Sequence, residues 1–271
     1  MRRSGECARW SGFVLISGAC SAVESRRAAF TVERISDVRF DDGLLPEHAE
    51  LLVVRHGESR ANVAFREAEI DGEPIELGCR DADVALSRTG AEQAAALGRW
   101  LRERSSPQVV YCSPYLRARQ TWQIAAGELS ETQRSVSVVV DERLRDREMG
   151  HLELHTPAMV SSRYPEEARR RADVGEFYYR PPGGESPADV ALRLRSFLRD
   201  LDRAKSALVV GHDAVVLLLR YITEAASEEE LWRLPPVTNA SVSRWEMSTA
   251  QQPRLVAYNE LHHLPTESRT S

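Results

Sequence analysis

The sequence of 271 residues is almost without lysine. Lys205 is the only one among 36 basic residues, so arginine carries nearly all the positive charge. No run approaches the ~20 consecutive apolar residues that a membrane-spanning helix needs. The four cysteines, Cys7, Cys20, Cys79 and Cys112, show no Cys-x-x-Cys or Cys/His spacing of the kind that holds zinc. There is no internal repeat and no low-complexity tract. The net charge of -5 is mild, which leaves neither the basic footprint of a nucleic-acid binder nor a polybasic membrane patch. What remains is an ordinary globular composition, 42% apolar and 28% charged, and the cysteine usage suits a reducing cytoplasm. The arginine bias is first a compositional trait. It still matters chemically, because a guanidinium fork grips phosphate oxygens two at a time.

Arg2 and Arg3 ahead of Phe13–Ile16, with small residues around Cys20, outline a leader only faintly, since the apolar stretch is short and broken by glycine and serine. Residues 1–47 are therefore read as a poorly ordered N-terminal extension, 48–265 as the folded domain and 266–271 as a C-terminal tail. Cys112 ends an apolar run and reads as a core residue.

Within the domain, Leu51–Val54, Val109–Tyr111, Val136–Val140 and Ala207–Val210 are short apolar runs of the kind that form buried parallel strands. Ser241–Met247 and Leu255–Tyr258 read as later, edge strands. Helical patterns lie between them. A capping box from Thr89 to Glu92 opens a helix to about Arg104. Ser113 and Pro114 supply a cap and an N1 proline for a helix to about Ala126. Ser186 caps an apolar stripe that includes Val190, Leu194 and Phe197, and Asp213–Thr223 is a buried helix. Strands alternating with helices imply an α/β domain with a mostly parallel sheet, whose site lies at the carboxyl ends of the strands.

Arg55-His56-Gly57-Glu58-Ser59 directly follows the first strand, with Asn62 three residues on. Imidazole is a competent nucleophile toward phosphorus, Arg55 can fork onto phosphate oxygens, and Gly57 permits a sharp turn and close approach to a ligand. Gly211-His212 ends the fourth strand and so belongs at the same sheet edge. Arg117, in Ser113–Thr121 after the second strand, reaches that edge near a helix N-terminus that itself favours anions. Arg119 reads either as a group supporting the site from behind or as a surface group.

These motifs, in this order, resemble those of the histidine phosphatase superfamily, which includes cofactor-dependent phosphoglycerate mutase. Arg55-His56-Gly57 is similar to its Arg-His-Gly signature, Ser113–Thr121 to its second motif and Gly211-His212 to its late Gly-His element. The resemblance implies a three-layer α/β/α sandwich with a mixed, mostly parallel sheet, and chemistry that needs no metal and no cofactor. It implies that His56 is the phosphorylated nucleophile. Arg55, Arg117 and His212 would cradle the phosphoryl oxygens, with Asn62 and Ser59 adding hydrogen bonds. The proton donor would lie in Leu144–Gly150. Counting back from Gly150 puts Asp146 where the family usually has glutamate, with Glu148 as the alternative. Glu185 would order the catalytic loops.

The reaction implied is hydrolysis of a small phosphomonoester, with no nucleic-acid or membrane partner and no readable oligomeric state. Mutases resemble the chain at Arg55-His56-Gly57. They usually carry a different acid loop and a long insertion after it, whereas about thirty residues separate Gly150 from Pro181. A mutase is the first alternative, and a catalytically weak phosphate-ligand binder or regulatory protein is the second. Tyr178, Tyr179 and Arg180 read either as a loop delivering the next helix or as part of a substrate pocket. His151 and His155 are placed near the entrance, Asn239 in a loop near the site, and His262 and His263 in a solvated tail.

Overall fold

The computed structural model describes residues 49–72, 75–203 and 205–270. The N-terminal extension, its leader-like stretch, Cys7 and Cys20 lie outside the described residues.

Six strands form one sheet: β1 (Ala49–Arg55), β2 (Val109–Cys112), β3 (Ser137–Val140), β4 (Ala207–Gly211), β5 (Val242–Met247) and β6 (Arg254–Glu260). Their spatial order is β3-β2-β4-β1-β5-β6. The four central and outer strands β3, β2, β4 and β1 run parallel, and β5 and β6 follow as antiparallel neighbours. Nine helices accompany them among the described residues: α1 (Arg60–Asp71), α2 (Arg88–Arg102), α3 (Leu116–Gly127), α4 (Glu131–Arg134), α5 (Pro157–Arg163), α6 (Pro165–Val174), α7 (Pro187–Asp200), α8 (Asp213–Glu224) and α9 (Glu228–Trp232).

The three layers follow from strand periodicity. Successive side chains of a strand point to opposite faces. Leu51 and Val53 therefore pack with Val209 and with Leu194 and Val216 of α7 and α8. Leu52 and Val54 pack with Val210 and with Leu97 and Ala118 of α2 and α3 on the other side. Each fully buried valine or leucine contributes roughly 1.5–3 kcal/mol relative to exposure. A single charge at Val53, 0% exposed, would abolish more than any one of them supplies.

Several local expectations shift. Helix α2 begins one residue before Thr89, because the Ser87 hydroxyl accepts from Gly90 N and serves as the N-cap. Helix α3 begins at Leu116, not at Pro114. Its N-cap is Tyr115, which makes no side-chain cap, because the Ser113 hydroxyl is committed elsewhere. Helix α1 carries no apolar stripe in the sequence. It is started by a capping box in which Ser59 Oγ accepts from Asn62 N while Asn62 Oδ1 accepts from Ser59 N.

The C-terminal residues are tied down. Ser268 and Thr270 accept from Gln93 Nε2, and Thr270 O accepts from Asn239 N. His263 is not a solvated tail residue. It is half-buried with Nε2 3.0 Å from Ala240 O, and burial pushes its pKa down to about 4. Cys112 is buried and burial pushes its thiol up to about 12, the inert behaviour of a core cysteine.

Candidate active site

Parallel pairing of β1 with β4 sets Arg55 opposite Gly211. The next residue on each strand is a histidine, and His56 N donates to Gly211 O at 2.9 Å. The two imidazoles meet edge to face with centroids 5.1 Å apart. One pairing register thus brings together residues 156 positions apart in the chain.

His56 is buried, and its tautomer can be read from its neighbours. Arg117 Nε can only donate, and it lies 3.2 Å from His56 Nε2. Nε2 is therefore the unprotonated nitrogen, and Nδ1–H donates to Gly57 O at 2.7 Å. Burial, then the charges of Arg117, His212 and Arg55, lowers the His56 pKa well below its ordinary value of 6.5. The ring is neutral at neutral pH, with its lone pair on the nitrogen that faces arginine.

Gly57 serves packing. Its N–H donates to Thr121 Oγ1 at 3.0 Å. A Cβ there would lie 2.5 Å from Gly90 O of α2. The sequence suggested a glycine kept for ligand approach, whereas the close neighbour is a helix backbone. Glu58 is buried the same way. It accepts from Ser87 Oγ and Arg66 Nη2 at 2.6 and 3.0 Å, while its N–H donates to Gln93.

Arg117 uses every N–H it has. Nη1 donates to Asp81 O and Oδ1, Nη2 donates to Asp81 Oδ2 and Asp146 Oδ2, and Nε faces His56. Asp81 therefore clamps the Nη1/Nη2 edge bidentately, and the Nε/Nη2 edge is turned toward His56 and Asp146. Sequence reasoning missed Asp81. It lies in a short 3-10 turn, Asp81–Asp83, far from the quoted motifs, and only its spatial position marks it.

His212 is fully buried between Ser113 and Asp146. Its Nε2 lies 2.8 Å from Ser113 Oγ. Its Nδ1 lies 3.1 Å from Asp146 Oδ2 but without hydrogen-bond alignment, and it has no hydrogen-bond partner. Burial lowers the His212 pKa, against the pull of Asp146. Arg55 sends Nη1 to Val237 O, and its Nε is also buried without a partner.

Asp146 sits at the centre. Burial raises its carboxyl, but His212 and Arg117, 3.1 and 2.8 Å away, hold it well below the usual carboxylate range. Glu148, two residues on, is 48% exposed and pairs with Arg145. The loop that carries Asp146 is pinned by Glu185 and Arg193. Arg193 donates to both Glu185 oxygens and to the carbonyls of Arg143 and Asp146, and Glu185 Oε1 also takes Arg145 Nη2. Gly150 ends the loop at φ 54, where a Cβ would lie 2.3 Å from Pro182 O.

Ser59 and Asn62 are close by but engaged with each other. Ser59 Oγ donates to Asn62 Oδ1 at 2.9 Å, and Asn239 Nδ2 donates to that same oxygen and to His56 O, both at 3.3 Å. Asn239 thus supports the histidine backbone. Tyr178, Tyr179 and Arg180 do not line the cavity. They pair with Glu228, Glu167 and Asp189. His151 and His155 instead lie edge-on against Tyr164.

The cavity over these groups measures about 660 Å³. Donor atoms of His56, Asp146 and His212 lie within 4.8 Å of one another. Arg117 already touches Nε2 of the first and Oδ2 of the second with a fixed positive charge. That charge makes the cluster a poor cation site and a good anion site.

The profile of the histidine phosphatase superfamily (branch 1) matches residues 51–261. The chain belongs to that superfamily. It is 32% identical over 178 residues to 6-phosphofructo-2-kinase/fructose-2,6-bisphosphatase of Gallus gallus, covering 65% of this chain and 33% of that one. It is 31% identical over 185 residues to phosphoglycerate mutase-like protein AT74 of Arabidopsis thaliana, covering 64% and 53%. The chain thus spans about a third to a half of the length of these curated relatives. Among solved structures, the mycobacterial glucosyl-3-phosphoglycerate phosphatase superposes with a TM-score of 0.62 at 25% identity, over 79% of this chain and 100% of that one. The α/β sandwich with a mixed six-stranded sheet is the architecture of this superfamily.

Proposed function

We propose that the protein is a phosphomonoester hydrolase that works through a phosphohistidine on His56. The observation that carries this reading is a neutral His56, its Nε2 free of a proton, beside the buried Arg55 Nε, which lacks a hydrogen-bond partner, and the guanidinium of Arg117. An unpaired buried donor is costly, and a phosphoryl oxygen beside His56 would satisfy it. Phosphoryl transfer is chiefly positioning and charge stabilisation, which this set supplies.

In the first step His56 Nε2 forms a bond to phosphorus, the ester P–O bond breaks, and Asp146 gives its proton to the leaving oxygen. In the second step water attacks the phosphorus, the N–P bond breaks, and Asp146 takes the proton back. The unliganded carboxyl is anionic, so the substrate must help. A phosphoryl group that takes over Arg117 Nε and Nη2 removes a contact that holds Asp146 down and adds negative charge beside it. Both effects raise the carboxyl pKa. Arg55, Arg117 and His212 hold the oxygens, with Asn62 Nδ2 as a further donor. The free Cys79 and Cys112 fit a reducing compartment such as the cytoplasm.

The test is metal-free turnover of p-nitrophenyl phosphate by the wild type and by His56→Ala. Turnover by the wild type alone, with an acid-labile phosphoenzyme, supports the reading, and an active His56→Ala removes the nucleophile. Bisphosphoglycerate-dependent interconversion of 2- and 3-phosphoglycerate would favour a mutase.

A further inference from the structure

Beyond the phosphate cradle, the cavity contains little that could hold a second anion. Its remaining arginines are Arg80 and Arg147. Arg147 is committed to Glu176 and to the carbonyls of Tyr179 and Glu185. Arg80 is 80% exposed and paired with Asp83, so its charge is screened by solvent. Against these stand Glu148, Glu153 and Asp213, three carboxylates that also line the cavity. The rest is apolar: Phe65, Met149, Leu154 and Leu217 are half-buried, and Trp232 at the end of α9 is 45% exposed. Half-buried apolar side chains around an open cavity gain most from an apolar ligand that displaces water.

We infer that the substrate carries one phosphate on an apolar leaving group that packs against Trp232 and Leu217, and that bisphosphates and phosphoglycerates are disfavoured. This rests on the phosphatase reading. A second phosphate or carboxylate would enter beside Glu148, Glu153 and Asp213 and lose its hydration without gaining a free cation, which costs binding.

The experiment compares kcat/KM of the full chain for benzyl phosphate, glycerol 3-phosphate, 3-phosphoglycerate and fructose 2,6-bisphosphate, with inhibition by inorganic phosphate measured alongside. Benzyl phosphate should exceed either anionic ester by about tenfold or more, the discrimination an apolar pocket can give. Trp232→Ala should lower kcat/KM for benzyl phosphate by about tenfold and leave glycerol 3-phosphate and the inhibition constant of phosphate unchanged. Trp232→Phe should restore most of the loss. Preference for 3-phosphoglycerate or fructose 2,6-bisphosphate, with His56 still phosphorylated, would overturn this inference and leave the phosphatase reading standing. An equal loss on every ester in Trp232→Ala, or a weaker phosphate inhibition in it, would likewise overturn it. If no ester is turned over and His56 carries no phosphate, the underlying reading falls and this one with it.

Discussion

The floor and the mouth of the cavity are built on different terms. The floor is made at strand ends, where pairing of β1 with β4 sets His56 and His212 side by side and hydrogen bonds use all five N–H groups of Arg117. The mouth is made in large part by short elements and loop residues, among them Met149, Leu154 and Trp232, set beside Phe65 of α1 and Leu217 of α8. A floor placed by register varies little without breaking the sheet. A mouth placed by loops can change its chemistry while the fold persists. On the proposed reading, chemistry belongs to the first region and selection among esters to the second.

The comparison predicts graded effects. His56→Ala should lower kcat/KM on every ester by on the order of 10⁴–10⁶-fold, as loss of a nucleophile does. Asp146→Asn should cost about 10²–10⁴-fold, most for poor leaving groups, because those need the proton. An Asp146→Asn variant as active as the wild type on an alkyl phosphate, with Glu148→Gln inactive, would move the acid to Glu148. Arg117→Lys keeps the charge but loses the fork, and should cost about 10²–10³-fold on all esters alike. A loss restricted to some esters would blur the division between floor and mouth.

Much of the floor was legible because strand-end placement needs only a short apolar run and the residue that follows it. Leu51–Val54 points to His56, and Ala207–Val210 points to His212. Asp81 was not legible, because its bond to Arg117 spans 36 positions and belongs to no periodic element. Ser113 looked like a helix cap, yet its hydroxyl faces His212, and the helix starts at Leu116, two residues after the expected Pro114. Ser59 and Asn62 looked like ligands for phosphate, but the capping box of α1 uses the Ser59 hydroxyl and Asn62 Oδ1. A serine followed three residues later by asparagine lacks the usual Glu or Gln of that signature. The mouth was least legible, since the aromatic residues that stood out, Tyr178 and Tyr179, pair outside it.

Smaller effects sharpen the picture. The lowered His56 pKa means that protonation, and with it loss of the nucleophile, begins below pH 6.5. The acid limb of kcat/KM should therefore lie on the acid side of that value, and an inflection above it would contradict a neutral, arginine-flanked imidazole. The same depressed pKa makes the folded state lose stability as pH falls below the unfolded histidine value toward the folded one. Gly57→Ala should destabilise the fold by about 1–3 kcal/mol through the clash with Gly90 O, measured by denaturant unfolding.

The most direct measurement traps the covalent state. Rapid acid-free quenching during turnover, followed by peptide mapping, should find a phosphoryl group on His56 that is lost in acid and kept in alkali, and no such group in His56→Ala. Steady turnover with the phosphoryl group on another residue, or with none on the protein at any time, would contradict the account.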